Sequence, residues 1–393
     1  MNFTACWKIF PEASFWIVRC KPINIANGEL NMNDKNNEPT GAQEAEVLQP
    51  TPKNIPNAPT SVMWFAPEMP TIPSSSTAYL QDNPLRLSIV VMVYKMPEQA
   101  KKTLFSLSAA YQRGVSEAEY EIIVVENPSS RMLGKEEAEK WGSNFRYIAY
   151  PETKPTPVNA MNFGASQARG RMIGVMIDGA RMVSPGIVNY IIAAERLHPN
   201  AIVAVPGYHL GEKVQQEAML EGYDEEFELG LLNKIKWPED GYRLFEIACL
   251  SGTSHSGYFK PLGESNVLAM PRAIWEKLGG FDEGFTETGG GQCNLDLHKR
   301  AVELPETVLV TLIGEGSFHQ FHGGITTGTK GQERLDIMQS HFNQYAQLRG
   351  APYKPPLKRA IFLGSLPDCA MRFVRHSSGV IMKNRREIPR DWK

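Results

Sequence analysis

No apolar run in this chain approaches the roughly 18–20 residues that a bilayer-spanning helix requires. The opening stretch MNFTACWKIFPEASFWIVRC lacks the sustained apolar core and small-residue cleavage site of a secretory signal. The Asn2-Phe3-Thr4 sequon is therefore read as accidental. Cysteine is scarce: five residues (Cys6, Cys20, Cys249, Cys293, Cys369), odd in number and without metal-ligand spacing. They are expected to be reduced thiols in a cytoplasmic protein. An excess of one charge is missing too, because 41 Lys and Arg face 43 Asp and Glu for a net charge of −2, so nothing global suggests a nucleic-acid partner. After the first apolar run, YKMPEQAKK contains no glycine, which argues against a Gly-rich triphosphate loop and hence against a nucleotidyltransferase.

What remains is the profile of a soluble enzyme. With 393 residues, 42% of them hydrophobic, there is chain enough for one large or two medium domains. Residues 21–85 are rich in Asn, Pro, Glu and Thr and show no period, so 1–85 is expected to be an amino-terminal arm or linker, partly disordered. From Leu87 apolar strands alternate with helices. Three runs, LSIVVMVYK (Leu87–Lys95), EIIVVENPS (Glu121–Ser129) and RMIGVMIDGAR (Arg171–Arg181), each end in polar residues or a turn. Helical stripes fall between them: Ala100, Leu104, Leu107 and Tyr111 after Pro97, then Val158, Met161, Ala165 and Ala168 closed by Gly170. Ser184-Pro185 reads as the cap and first residue of a helix carrying Ile187, Ile191, Ala194 and Leu197. The order predicts an α/β fold with a parallel sheet and right-handed crossovers, whose carboxyl edge would bind ligand.

Beyond a strand at Ala201–Pro206, the acidic stretch Glu217–Glu228 and polar loops to Ser256 break the alternation. They suggest a substrate-side elaboration. Order resumes with a strand at Asn266–Met270 and a helix over Pro271–Leu278, and a later helix near Gln332–Leu348 is expected to turn Leu335, Met338, Phe342 and Tyr345 inward. The tail from Ala351 carries ten Lys and Arg against three Asp and Glu. Such a tail suits peripheral contact with an anionic membrane, or a solvated basic terminus.

Four motifs in order then resemble the family 2 glycosyltransferases, whose domain has the GT-A fold. They are LSIVVMVYK with TLFSL; EIIVVENPS; Asn162-Phe-Gly164, Ala168-Arg-Gly170 and the strand to Asp178; and LGGFDEGF (Leu278–Phe285) with Asp296-Leu297 and Arg300. The resemblance covers about Leu87 to His322. It implies a GT-A domain over 86–325, with a nucleotide-binding part (86–182) and an acceptor part (183–325), followed by a helix and basic tail over 326–393. It places the nucleotide base at Val93, Tyr94, Glu126 and Asn127, with Asn162, Asp178, Gly179 and Arg181 on the rest of the nucleotide sugar. Glu264, Ser265, Asn266 and Asp282 would border the acceptor. A divalent cation, Mn²⁺ or Mg²⁺, would meet Asp178.

Two departures stand out. Ala180 occupies the place of the family's second metal-binding aspartate, so either His319, with His322 three residues on, completes a metal shell, or the cations Arg181, Lys154 and Arg171 replace it. Asn294 occupies the place of the family's catalytic base, and an amide cannot accept a proton near neutral pH. Asp296 is the first substitute, Glu287 the second, and Asp296 could equally cap a helix. Cys293 has no adjacent base to make it a nucleophile, and Trp275 reads as core before sugar platform. The loop Leu250–Asn266, dense in hydroxyls, amides and aromatics, suits a sugar. The resemblance thus implies sugar transfer from a nucleotide-diphosphate donor to a glycan or lipid-linked acceptor, with inversion. The rival is a degenerate member that binds donor or glycan without turnover.

Overall fold

The computed structural model describes residues 85–152, 154–323 and 331–386. The arm expected over 1–85 lies outside the described residues, Leu85 excepted. In chain order the first elements are β1 (Leu87–Val93), α1 (Pro97–Leu107), β2 (Tyr120–Glu126), α2 (Lys135–Glu139), β3 (Phe145–Ala149), α3 (Val158–Ser166), β4 (Met172–Met176) and β5 (Arg181–Val183). There follow α4 (Ile187–Leu197), β6 (Ala201–Ala204), β7 (Gly207–Leu210), α5 (Gln215–Ala218), α6 (Glu225–Lys234), β8 (Ala248–Leu250), β9 (Leu268–Pro271) and α7 (Arg272–Leu278). Then come α8 (Cys293–Glu303), β10 (Val308–Leu312), β11 (Ser317–His319), a helix Gly331–Arg349, β12 (Ala360–Leu363) and a helix Met371–Arg386.

Eight strands form the main sheet in the order β12-β10-β6-β9-β4-β1-β2-β3. Its neighbours are parallel except β9, which runs antiparallel to both β4 and β6. A strand in the middle of such a sheet is covered on both faces and reads as a continuous apolar run; all seven residues of β1 are buried. Its alternate residues feed two cores. Ile89, Val91 and Val93 pack with Leu104 of α1, Ala138 of α2 and Ile191 of α4. Val90 and Met92 point the other way, toward Met161 of α3, Trp275 of α7 and Leu297 of α8. Each such fully buried aliphatic side chain contributes roughly 1.5–3 kcal/mol. The result is the three-layer α/β architecture expected.

The interruption after β6 builds a second sheet, β5-β11-β7-β8. Its inner face packs Tyr208, Phe245, Phe318 and Phe373, with the Tyr208 and Phe318 rings stacked at 5.1 Å. In register, β11 lies between β5 and β7, so His319 is flanked by Arg181 on one side and His209 on the other.

Some local expectations are corrected. Gly170 does not cap α3, which ends at Ser166. A Cβ at Gly170 would lie 2.6 Å from the Leu87 carbonyl carbon, so the glycine is there for close approach to β1. Ser184-Pro185 does not start α4 either; the helix begins at Ile187. Its amino end is served instead by Glu315, whose Oε2 accepts from Gly186 N at 3.1 Å and from the Ser184 hydroxyl. On the helix Gly331–Arg349 it is His341 and Tyr345 that are buried, whereas Leu335 and Phe342 are exposed.

Candidate active site

Asp178 lies just past the carboxyl end of β4, where the chain turns into β5. The turn packs so closely on β1 that a Cβ at Gly179 would sit 2.5 Å from the Met92 carbonyl oxygen. Thr103 of α1 donates to the Gly179 carbonyl at 2.7 Å, and Ala180 N donates to Asp178 Oδ1 at 3.0 Å. That leaves Oδ2, which is 3.0 Å from His319 Nε2, 3.7 Å from His322 Nε2 and 3.5 Å from Arg181 Nε. The two imidazole Nε2 atoms are 3.1 Å apart.

Gln215 decides what His319 presents. Its Nε2 donates to the His319 carbonyl at 3.1 Å, so its Oε1 must be the group facing His319 Nδ1 at 2.6 Å. Nδ1 therefore carries the proton and Nε2 presents a lone pair toward Asp178. Burial, reinforced by Arg181, pushes the His319 pKa down to about 4, which keeps the ring neutral. Burial likewise holds His209, whose ring is 5.3 Å from that of His319, well below its ordinary value. For Asp178 burial acts upward, but the surrounding positive charge, Arg181 included, outweighs it and holds the carboxyl well below 3.8. An ionised carboxylate and a neutral imidazole lone pair facing each other at 3.0 Å repel unless a cation lies among them. Asp178, His319 and His322 thus fit a divalent cation, and two imidazoles with one carboxylate suit a transition-metal ion better than Mg²⁺.

The loop bearing the histidines is held from three sides. Gln320 N donates to the Ala180 carbonyl at 2.8 Å, Gln99 Nε2 to the Phe321 carbonyl at 2.8 Å, and Phe321 N to Glu228 Oε2 at 2.8 Å. Burial pushes the Glu228 carboxyl up to about 7. Arg181 is 8% exposed. A guanidinium stays charged in a protein, so it offers a fixed positive charge beside Asp178, with Nη1 free of any hydrogen-bond partner.

A second group arrives from β9. Because β9 is antiparallel to β4, with Leu268 opposite Val175, the residues before Leu268 lie at the same carboxyl edge as Asp178. Glu264 is half-buried there, accepts from Asn294 Nδ2 at 3.0 Å and Thr253 Oγ1 at 3.2 Å, and acts electrostatically on Arg181. Asn294 Nδ2 also reaches the Ser265 carbonyl at 3.2 Å and Asn266 Oδ1 at 3.4 Å. Ser265 itself is a staple: its Oγ accepts from Val205 N at 2.8 Å and donates to the Val267 carbonyl at 2.6 Å.

Several expected site residues are engaged elsewhere. Asp296 is 1% exposed and gripped by Arg300 Nε at 2.7 Å and Arg349 Nη2 at 2.8 Å. It does not cap the helix, since it lies inside the first turn of α8, and both its oxygens are held by guanidinium groups. Asp282 pairs with the same Arg349 at 2.6 Å, and Glu287 accepts from Ser340 at 2.9 Å. Asn162 spends both ends of its amide on the Phe281 backbone, each at 2.9 Å. Glu126 is 0% exposed, with oxygens taken by Leu133 N, Gly134 N and the Tyr147 hydroxyl. Its neighbour Asn127, whose N donates to the Val93 carbonyl at 3.1 Å, keeps an Oδ1 without a partner. Tyr94 is exposed.

Of the alternative cations, Arg171 sits at the opposite end of β4, paired with Glu195 at 2.8 Å, and Lys154 is exposed. Cys293 is buried, which raises its thiol far above the usual range and leaves it inert. Trp275 is core, its ring 5.9 Å from Phe281. Sequence reasoning missed Gln215, Glu228 and Arg349, single polar residues with no local pattern around them.

The sequence of residues 88–220 matches the family described as Glycosyl transferase family 2. No curated protein matches the chain. Among solved structures it is similar to S. aureus TarS, with TM-score 0.42 and 11% identity over 67% of this chain and 40% of that chain. It is also similar to S. aureus TarS 1-349 in complex with UDP-GlcNAc, with TM-score 0.42 and 10% identity over 76% of this chain and 72% of that one. A third is the mannosyltransferase PcManGT from Pyrobaculum calidifontis in complex with GDP-Man and Mn²⁺, with TM-score 0.39 and 13% identity over 76% and 70% of the two chains. The chain spans less than half the length of TarS.

Proposed function

Residues 88–220 belong to glycosyl transferase family 2, and from that premise we propose that the protein moves a sugar from a nucleoside diphosphate donor to a hydroxyl of a glycan or lipid-linked acceptor, in one displacement that inverts the anomeric carbon. The observation that carries this reading is the cluster of Asp178, His319 and His322 at the carboxyl edge of β4, with Arg181 beside it. A departing diphosphate gains negative charge as the glycosidic bond breaks. Asp178, His319 and His322 would hold a divalent cation, which when bound supplies neutralising charge to the diphosphate. Arg181 is prepositioned by β5 and its antiparallel pairing with His319, so it stabilises the leaving group without reorganising. Asn127 Oδ1 takes the place expected of Glu126, accepting from a ring N–H of the base.

The acceptor side supports a surface-borne substrate. Among the described residues no helix is long and apolar enough to cross a membrane. The helix Met371–Arg386 turns Phe373 and Ser377 inward and leaves Arg375 and Lys383 exposed, a face suited to anionic headgroups. It packs along the loop Leu250–Asn266, Tyr258 N donating to Ser377 Oγ at 2.9 Å.

Calorimetric titration with a panel of UDP- and GDP-sugars, with and without Mn²⁺, on the wild type and Asp178→Ala tests the reading. Binding that requires Mn²⁺ and weakens at least tenfold in Asp178→Ala is expected; no binding to any donor retires the proposal. Donor binding without turnover, the reading that Ala180 and Asn294 favour, is separated by whether nucleoside diphosphate is released.

A further inference from the structure

Transfer to a hydroxyl requires that its proton go somewhere, and most carboxylates around the site are already spent. Asp178 faces two imidazoles and Arg181. Asp296 and Asp282 are bound by arginines, and Glu126 and Glu228 accept from backbone N–H groups and tyrosine hydroxyls. Glu264 is different. Unlike the three aspartates it has no cationic hydrogen-bond partner, its partners being the Asn294 amide and the Thr253 hydroxyl, and unlike Glu126 and Glu228 it is not fully buried. It is half-buried, lies on the same sheet edge as Asp178, and is close enough for its charge to act on Arg181. A carboxylate fixed by neutral donors keeps lone pairs for an incoming proton, whereas one clamped by guanidinium groups does not.

We propose that Glu264 is the proton acceptor of the transfer, with Asn294 as its positioning residue; the assignment rests on the transferase reading above. The acceptor oxygen bonds to the anomeric carbon as the bond from that carbon to the diphosphate oxygen breaks. The electron pair leaves with the diphosphate beside Arg181, and the hydroxyl proton passes to a Glu264 carboxylate oxygen. Asn294, which cannot itself take the proton, holds that carboxylate by its Nδ2 at 3.0 Å while anchoring to the Ser265 carbonyl. An amide at position 294 thus coexists with a working base because the carboxylate stands on the facing loop.

The test uses the full chain with the tightest-binding donor of the UDP- and GDP-sugar panel, Mn²⁺, and water as the acceptor, reading nucleoside diphosphate release across pH. Glu264→Gln is expected to bind donor as the wild type does, to release product about 10²–10⁴-fold more slowly, and to lose the fall in rate toward acid pH. Glu264→Asp, which keeps the carboxylate, is expected to retain that acid limb and part of the rate, and it stands in if the glutamine variant does not fold. Release by Glu264→Gln at the wild-type rate, or an acid limb unchanged in it, overturns the assignment. Absence of donor binding by the wild type sinks the transferase reading itself, a distinct outcome.

Discussion

Gln215 grips His319 at both ends, accepting from Nδ1 at 2.6 Å and donating to the carbonyl at 3.1 Å. The backbone bond removes the choice of amide orientation, and the amide orientation removes the choice of tautomer. A residue that touches neither donor nor cation therefore sets which nitrogen faces Asp178. Such outer partners typically change metal affinity about 10–100-fold. Gln215→Ala is accordingly expected to weaken Mn²⁺ binding by that factor in a calorimetric titration without nucleotide. An unchanged affinity would show that the ring is held by packing alone.

Arg349 joins two aspartates that the sequence offered as site residues. It is partly exposed, but Asp296 is 1% exposed and would keep only Arg300 if the guanidinium were removed. Breaking a buried pair outright costs about 3–5 kcal/mol because a charge is left uncompensated. Arg300 still compensates Asp296 and Arg349 is partly exposed, so Arg349→Met is expected to cost less than that, read as a drop in the urea midpoint. Asp296→Asn should lower stability while leaving donor binding intact; weakened donor binding at unchanged stability would return Asp296 to the site.

The same pair shows where sequence reading succeeds and where it stops. β1, β2, β4 and their helices were legible because each is a local run with its own period and ending, and Asp178 follows from where one run ends. Whether a carboxylate is free or clamped depends on partners far along the chain: Arg349 lies 53 residues past Asp296 and 67 past Asp282. Asn162 looked like a ligand for the same reason, its partner Phe281 being 119 residues away. The second sheet was invisible because β5, β8 and β11 have three residues each, too few for a period to declare itself. Yet that sheet is what places His319 between Arg181 and His209.

Gly170 supplies a test of the fold apart from function. A Cβ at this position would lie 2.6 Å from both the Leu87 carbonyl carbon and Ser88 N, so the clash is with backbone of the central strand, which cannot swing aside. Overpacking of this kind costs typically about 1–3 kcal/mol. Gly170→Ala is expected to lower the urea midpoint accordingly, whereas Gly230→Ala, where a Cβ meets nothing within 4 Å on α6, should be neutral or stabilising. Equal effects at the two positions would contradict the close approach.

His298 on α8 makes stability depend on pH in a direction that can be worked out. Burial pushes its pKa from the ordinary 6.5 down to about 4, against a smaller upward pull from the Gly263 backbone. The unfolded chain therefore binds a proton between those values that the folded chain refuses. Stability linked to this ring is fully present above about pH 6.5 and is lost as pH falls toward about 4. At about 1.36 kcal/mol per pH unit, the loss between roughly pH 7.5 and pH 5 amounts to about 2 kcal/mol. His298→Leu changes the absolute stability for packing reasons as well, so the decisive quantity is the difference between the two pH values. That difference should shrink by about 2 kcal/mol in the variant, measured by urea unfolding at each pH, because Leu has no proton to take up; His319 and His209 keep the remainder of the acid sensitivity. An equal pH difference in both proteins would mean that the His298 ring is protonated as readily inside the fold as outside it.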